Sequence, residues 1–173
     1  MTKAEGIMIG KGVGVGTLEI HTDSVHGGFG IGRGTGSRSV EIYNASNPTK
    51  INIPNFDNGK RLRFVIVPTK KASQFQINLC TPSDIALHFN PRLNENIIVF
   101  NTTRGGNWMH EERIIKSFHT EKVYTLEFIS NHGRIQVLLN GTVLYEFAER
   151  LPSSHINSVE IGGDVHVHSV QFF

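Results

Sequence analysis

The chain has 173 residues, 38% of them hydrophobic, with 18 glycines and a formal net charge of +2. That length fits one domain, and the composition fits a packed core rather than disorder, while the near balance of charge gives no pull toward nucleic acid or anionic membrane. A single cysteine, Cys80, excludes an intrachain disulfide and a cysteine zinc cage.

Residues 1–42 carry two glycine-rich tracts, Gly10–Gly16 and Gly28–Gly36. Fixing so many glycines is entropically costly, so this stretch is expected to be an extension or linker, mostly flexible, with a boundary near Ser39–Tyr43. Within it Thr17-Leu18-Glu19-Ile20-His21 alternates and suits one short strand. The start, Met1–Gly6, lacks the basic and apolar segments of a secretory signal, so the chain is expected to be made in the cytoplasm. No apolar run approaches the roughly 18 residues of a spanning helix, so membrane insertion is not expected. The glycines match neither a phosphate loop ending in Gly-Lys-Ser/Thr nor the dinucleotide pattern after a strand.

Residues 43–173 read as strands. Arg61–Val67, Gln74–Leu79 and Ile85–Asn90 alternate. Ile97–Phe100, Tyr124–Phe128, Arg134–Leu139, Val143–Phe147 and Asp164–Phe173 are short and rich in β-branched or aromatic residues. Turns are expected at Asp57-Asn58-Gly59, Asn131-His132-Gly133, Asn140-Gly141 and Gly162-Gly163, the third closing a hairpin. No stretch keeps helical periodicity for three turns. The expectation is an all-β fold, a two-sheet antiparallel sandwich.

The chemistry concentrates in Leu87–Leu93. Strand alternation puts His88, Asn90 and Arg92 on one face, a polar strip roughly 13 Å long at about 3.3 Å per residue. Asn101 follows the Ile97–Phe100 strand. Trp108, the only tryptophan, precedes Glu111 and Arg113, which share a face. An indole beside amide, imidazole, guanidinium and carboxylate groups suits a neutral, hydroxyl-rich ring. The C–H face lies on the indole, and the hydroxyls meet fixed donors and acceptors.

His88-x-Asn90-Pro91-Arg92, then Val99-x-Asn101, then Trp108-x-x-Glu111-x-Arg113 closely resemble the signature of the galectins. The resemblance runs from Tyr43 to Phe173 and includes the closing Ile161–Val165 and Ser169–Phe172 segments. It implies a jelly-roll sandwich of the galectin and concanavalin-like type. It also implies metal-independent binding of β-galactosides, of the lactose or N-acetyllactosamine kind, on the concave sheet. By the same resemblance, His88, Asn90 and Arg92 would hold the axial 4-hydroxyl of galactose, Asn101 and Glu111 its 6-hydroxyl, and Trp108 would stack under the ring. Glu111 would bridge Arg92 and Arg113. Two departures stand out: Met109 replaces a common glycine, and the Arg92–Asn101 stretch is short. Both bear on preference for longer glycans. The partners implied are β-galactoside-bearing glycans and glycoproteins, with no cofactor. Crosslinking them needs a second site, from a homodimer or a second lectin domain.

The same residues bear on other functions. Glu111 and Glu112 are adjacent and point to opposite strand faces, and Glu95 lies in a loop, so the paired carboxylates of a glycosidase are not expected. A domain that keeps the fold but binds proteins inside the cell, through the outer sheet or the extension, is the alternative function. Asp164, His166 and His168 are spaced either for zinc or copper or as an outward polar row. Acceptor patterns for N-glycosylation occur at Asn44, Asn101 and Asn140. A glycan on Asn101 would fill the site, which agrees with the signal-independent export known for galectins. If neutral His88 accepts a hydrogen bond, affinity is expected to fall below about pH 6.

Overall fold

The computed structural model describes residues 17–18 and 39–173. Along Arg61–Pro68 the residues Leu62, Phe64 and Ile66 are fully buried while Arg61, Arg63, Val65 and Val67 turn outward, the period of two that a half-buried strand requires. In chain order the strands are β1 (Thr17–Leu18), β2 (Val40–Ala45), β3 (Thr49–Asn52), β4 (Arg61–Pro68), β5 (Phe75–Cys80) and β6 (Ile85–Arg92). They continue with β7 (Ile97–Asn101), β8 (Thr103–Arg104), β9 (Asn107–Trp108), β10 (Glu112–Ile115), β11 (Tyr124–Asn131), β12 (Arg134–Leu139), β13 (Thr142–Ala148), β14 (Ser158–Gly163) and β15 (Val165–Phe172).

One sheet has the order β1-β3-β14-β5-β6-β7-β10 and the other β13-β12-β11-β4-β15-β2, with β8 and β9 forming a separate hairpin. Pairing is antiparallel throughout, except that β1 runs parallel to β3, Thr17 opposite Lys50 and Leu18 opposite Ile51. The expected all-β sandwich is therefore what the chain forms. Its core lies between the two sheets. Phe89 of β6 meets Phe128 of β11 edge-on at 5.5 Å, and Phe100 of β7 packs on Phe89 at 5.7 Å. Each buried phenylalanine contributes about 1.5–3 kcal/mol, so this seam fixes how the sheets face each other.

Six strands were not among those expected: the short β8, β9 and β10 around Trp108, and β2, β3 and β14. β3 is only four residues long, β14 ends in two glycines, and β2 begins at Val40, inside the stretch read as extension. Val40 and Ile42 are each only 4% exposed, so these residues belong to the sandwich rather than to a linker. Of the strand expected over Thr17–His21, Thr17 and Leu18 pair with β3. Glu19–His21 and the remainder of residues 1–38 lie outside the described residues. Gly162 and Gly163, expected as a turn, both belong to β14 and pair with Gln76 and Phe75.

The Asn140–Gly141 hairpin joins β12 to β13 as expected, with φ of 51° and 85°. Both values are left-handed, the backbone that this two-residue turn demands. Gly141→Ala puts a Cβ on that backbone and is expected to cost about 1 kcal/mol, read as a lower urea midpoint. An unchanged midpoint would show that the turn tolerates a different geometry. Among the described residues, no helix is long and apolar enough to cross a membrane.

Candidate functional site

The outward face of the first sheet carries the polar strip, and strand register brings its members together. His88 on β6 lies opposite Asn78 of β5 on one side and Asn101 of β7 on the other. Asn90 and Arg113 both lie opposite Val99, and Arg92 lies opposite Ile97. Trp108, on the β8–β9 hairpin, is 53% exposed, and its ring lies 4.7 Å from that of His88. All seven residues singled out from the sequence thus surround one region. Six of them, His88, Asn90, Arg92, Asn101, Trp108 and Glu111, line an open groove of about 650 Å3, with Arg113 bonded to Glu111 at its edge.

The side chains are fixed by one another. Asn78 Oδ1 accepts from His88 Nδ1 at 2.7 Å, while Asn78 Nδ2 reaches Glu160 Oε1 at 3.5 Å. With Nδ1 carrying the proton, Nε2 of a neutral His88 is left as an acceptor. Asn90 Nδ2 donates to Phe75 O at 2.7 Å and to Gln74 Oε1 at 3.1 Å, so Asn90 turns its Oδ1 outward. That oxygen accepts from Arg92 Nε at 2.9 Å. Asn101 Oδ1 accepts from Thr102 N at 2.8 Å and Arg150 Nη1 at 3.2 Å, and its Nδ2 donates to Met109 O at 2.9 Å, leaving one N–H. Glu111 bridges two arginines. Its Oε1 accepts from Arg113 Nε at 2.8 Å, and its Oε2 lies 3.5 Å from Arg92 Nη2.

These contacts set the charge states. Burial first, then the Arg92 charge, pushes the His88 imidazole down to about 4, against a smaller opposing pull from Glu111. The fall in affinity expected from the sequence below about pH 6 therefore moves to about pH 4, because His88 is largely desolvated and faces a guanidinium. The Arg113 hydrogen bond, with the charges of Arg113 and Arg92, holds the Glu111 carboxyl below its ordinary range.

Glu112 turns the other way, as strand alternation requires. It accepts from Tyr145 Oη and, at 2.8 Å, from Arg150 Nη2, and so lies on the opposite side from Glu111. The Asp164–His166–His168 spacing does not make a cluster. Asp164 Oδ2 accepts from Ser73 N at 2.9 Å, which ties the β14–β15 link to the segment before β5, while His166 and His168 are exposed. Among the described residues, no three His, Cys, Asp or Glu side chains are placed to hold a metal ion. Cys80 is buried, and burial pushes its thiol up to about 12.

Several supporting residues were not singled out from the sequence. Gln76 and Asn78 of β5, with Gln74 just before it, share one face, and their alternation was the available signal. Arg150 follows β13 of the opposite sheet and reaches Asn101 Oδ1 and the His110 carbonyl at 3.2 and 3.0 Å; nothing local to it announces this.

Comparison with known proteins agrees with this geometry. Residues 48–172 match the family described as galactoside-binding lectin. Galectin-7 of Rattus norvegicus is 36% identical over 120 residues, which cover 66% of this chain and 88% of that protein. Galectin-4 of Homo sapiens is 37% identical over 92 residues, 52% of this chain but only 28% of that longer protein. The crystal structure of the Caenorhabditis elegans galectin LEC-6 superposes with a TM-score of 0.74 at 47% identity, covering 77% of this chain and 95% of that one. Sheep galectin-11, in complex with glycerol, shares the fold at 22% identity and a TM-score of 0.68. The chain belongs to the galectin family of galactoside-binding lectins, which are not enzymes.

Proposed function

We propose that the groove around His88 holds the terminal galactose of a β-galactoside, of the lactose or N-acetyllactosamine kind, without metal. The observation that carries this is the commitment of His88 Nδ1 to Asn78, which leaves Nε2 as an acceptor beside the donor Arg92. One hydroxyl can then give its hydrogen to His88 Nε2 and accept from Arg92, with Asn90 Oδ1 next to both. An axial 4-hydroxyl, standing up from the ring face, meets this demand and an equatorial one does not. The free Asn101 N–H and the acceptor Glu111 suit the 6-hydroxyl as donor and acceptor, and the exposed Trp108 suits the C–H face of the ring.

An open groove buries only part of a disaccharide, so a single-site Kd of roughly 0.1–1 mM is expected, about −4 to −5.5 kcal/mol. Crosslinking of glycoconjugates would then rest on a second site from another copy or another domain, raising avidity about 10²–10⁴-fold. Synthesis in the cytoplasm with signal-independent export fits the site, because a glycan on Asn101 Nδ2 would break its bond to Met109 O and fill the groove.

The direct test is titration with lactose and cellobiose, which differ only in the configuration of one carbon, C4 of the terminal sugar. Lactose is expected to shift Trp108 emission and to elute the protein from immobilised lactose in the presence of EDTA. Equal response to cellobiose would refute the assigned role of His88 and Arg92.

A further inference from the structure

Trp108 is carried by a hairpin that cannot hold itself. β8 and β9 make two residue pairs, Thr103 with Trp108 and Arg104 with Asn107, in a ladder separate from both sheets. An isolated hairpin of this size is unstable in water, so something else must hold the indole in place. The turn is Gly105–Gly106, with φ of 61° and 83°.

Both amides end on one carboxylate. Asp84, in the β5–β6 turn, accepts from Gly106 N at 2.9 Å and Thr103 Oγ1 at 2.8 Å through Oδ1, and from Gly105 N at 3.0 Å through Oδ2. Thr103 Oγ1 in turn accepts from Ile85 N at 2.8 Å, which ties the hairpin to the start of β6. Asp84 is itself fixed by Thr81, whose Oγ1 accepts from Asp84 N at 3.0 Å and whose N donates to Asp84 O at 2.8 Å. The other end of β9 is closed by Met109 N donating to Thr102 O at 3.0 Å.

We propose that Asp84 is a positioning residue for the sugar site: its carboxylate holds the Gly105–Gly106 turn and so sets where Trp108 stands over the groove. Asp84 does not line the groove and acts only through the hairpin. A carboxylate suits the task because it is acceptor-only and takes three donors on two oxygens. Those same donors, led by the Gly106 amide, hold its carboxyl below the usual range. This inference rests on the galactoside reading of the groove.

The test uses the full chain with Asp84→Ala and Asp84→Asn, each alone and with Trp108→Phe. As Trp108 is the only tryptophan, acrylamide quenching of the free protein reads the hairpin directly. Asp84→Ala is expected to raise the quenching constant about twofold, as a locally opening segment does, and to weaken lactose binding about tenfold. Asp84→Asn keeps one acceptor oxygen and is expected to fall between Asp84→Ala and the parent protein, so the comparison survives if the alanine variant fails to fold. In the Trp108→Phe background the loss should shrink to less than about threefold, since coupled residues are not additive. Unchanged quenching in both Asp84 variants overturns the proposal. So does a lactose loss of equal size with and without the indole. Failure of the parent protein to bind lactose would refute the galactoside reading instead, while quenching of the free protein still decides whether Asp84 holds the turn.

Discussion

Arg92→Ala is expected to abolish measurable lactose binding while leaving the sandwich folded. Arg92 Nε donates to Asn90 Oδ1 and Nη2 approaches Glu111, so its removal takes away the donor proposed for the ligand and one contact of each neighbour, which Phe75, Gln74 and Arg113 still hold. A lost charge-assisted hydrogen bond costs about 2 kcal/mol or more, at least about thirtyfold in affinity. From a parent Kd near 1 mM, that puts the variant beyond titration. Arg92→Lys should be nearly as damaging, because an ammonium cannot bond Asn90 and the ligand in the fixed directions of a guanidinium. The Arg92–Glu111 pair is partly solvated, so its loss should move Tm by no more than about 4 °C. Lactose-column retention equal to that of the parent would remove Arg92 from the site. A collapse of Tm would make it a structural residue.

The second large effect is on pH. Binding as assigned needs His88 Nε2 unprotonated, and burial with the Arg92 charge keeps the imidazole neutral down to about 4. Lactose affinity should therefore be flat from pH 7.5 to 5 and fall below about 4.5, approaching tenfold per unit once His88 is protonated. The Arg113 hydrogen bond holds the Glu111 carboxyl below its ordinary range, which favours its charged form as pH falls. Stability follows a different window. In the unfolded chain His88 takes up its proton near 6.5, whereas in the folded chain it resists until about 4. The unfolded state thus binds more protons between these values. The contribution of His88 is full above pH 6.5 and lost as pH falls toward 4, by at most about 3 kcal/mol. Urea midpoints at pH 7 and 4.5, set beside an NMR titration of His88, check both statements. A histidine titrating near 6.5 in the folded protein would sink them together.

The part of the site that lies within one strand was legible in the sequence, because alternation alone puts His88, Asn90 and Arg92 on one face. Trp108 and Glu111 were legible through their spacing and the family resemblance. What orients these residues was not. Asn78 becomes the partner of His88 only through the β5–β6 register, and Arg150 reaches Asn101 from the opposite sheet. The downward shift of His88 was not legible for the same reason, since desolvation is a property of the assembled fold. In the fold, the Asn140–Gly141 hairpin was legible because its turn chemistry is local. β14 was not, because its glycines read as a break while its ladder with β5 carries them as strand.

The mutual hydrogen bonds of Asn78 with His88, Asn90 with Arg92 and Arg113 with Glu111 have a consequence for the energetics of recognition. Holding a flexible side chain still costs about 0.5–1.5 kcal/mol each time a ligand must do it. Here folding holds those rotamers beforehand, so on the proposed assignment an arriving sugar should displace solvent without reshaping the walls. Association should be fast and free of a slow adjustment phase. The same stiffness denies a mismatched epimer any accommodation, so selectivity comes from rigidity rather than from tight grip.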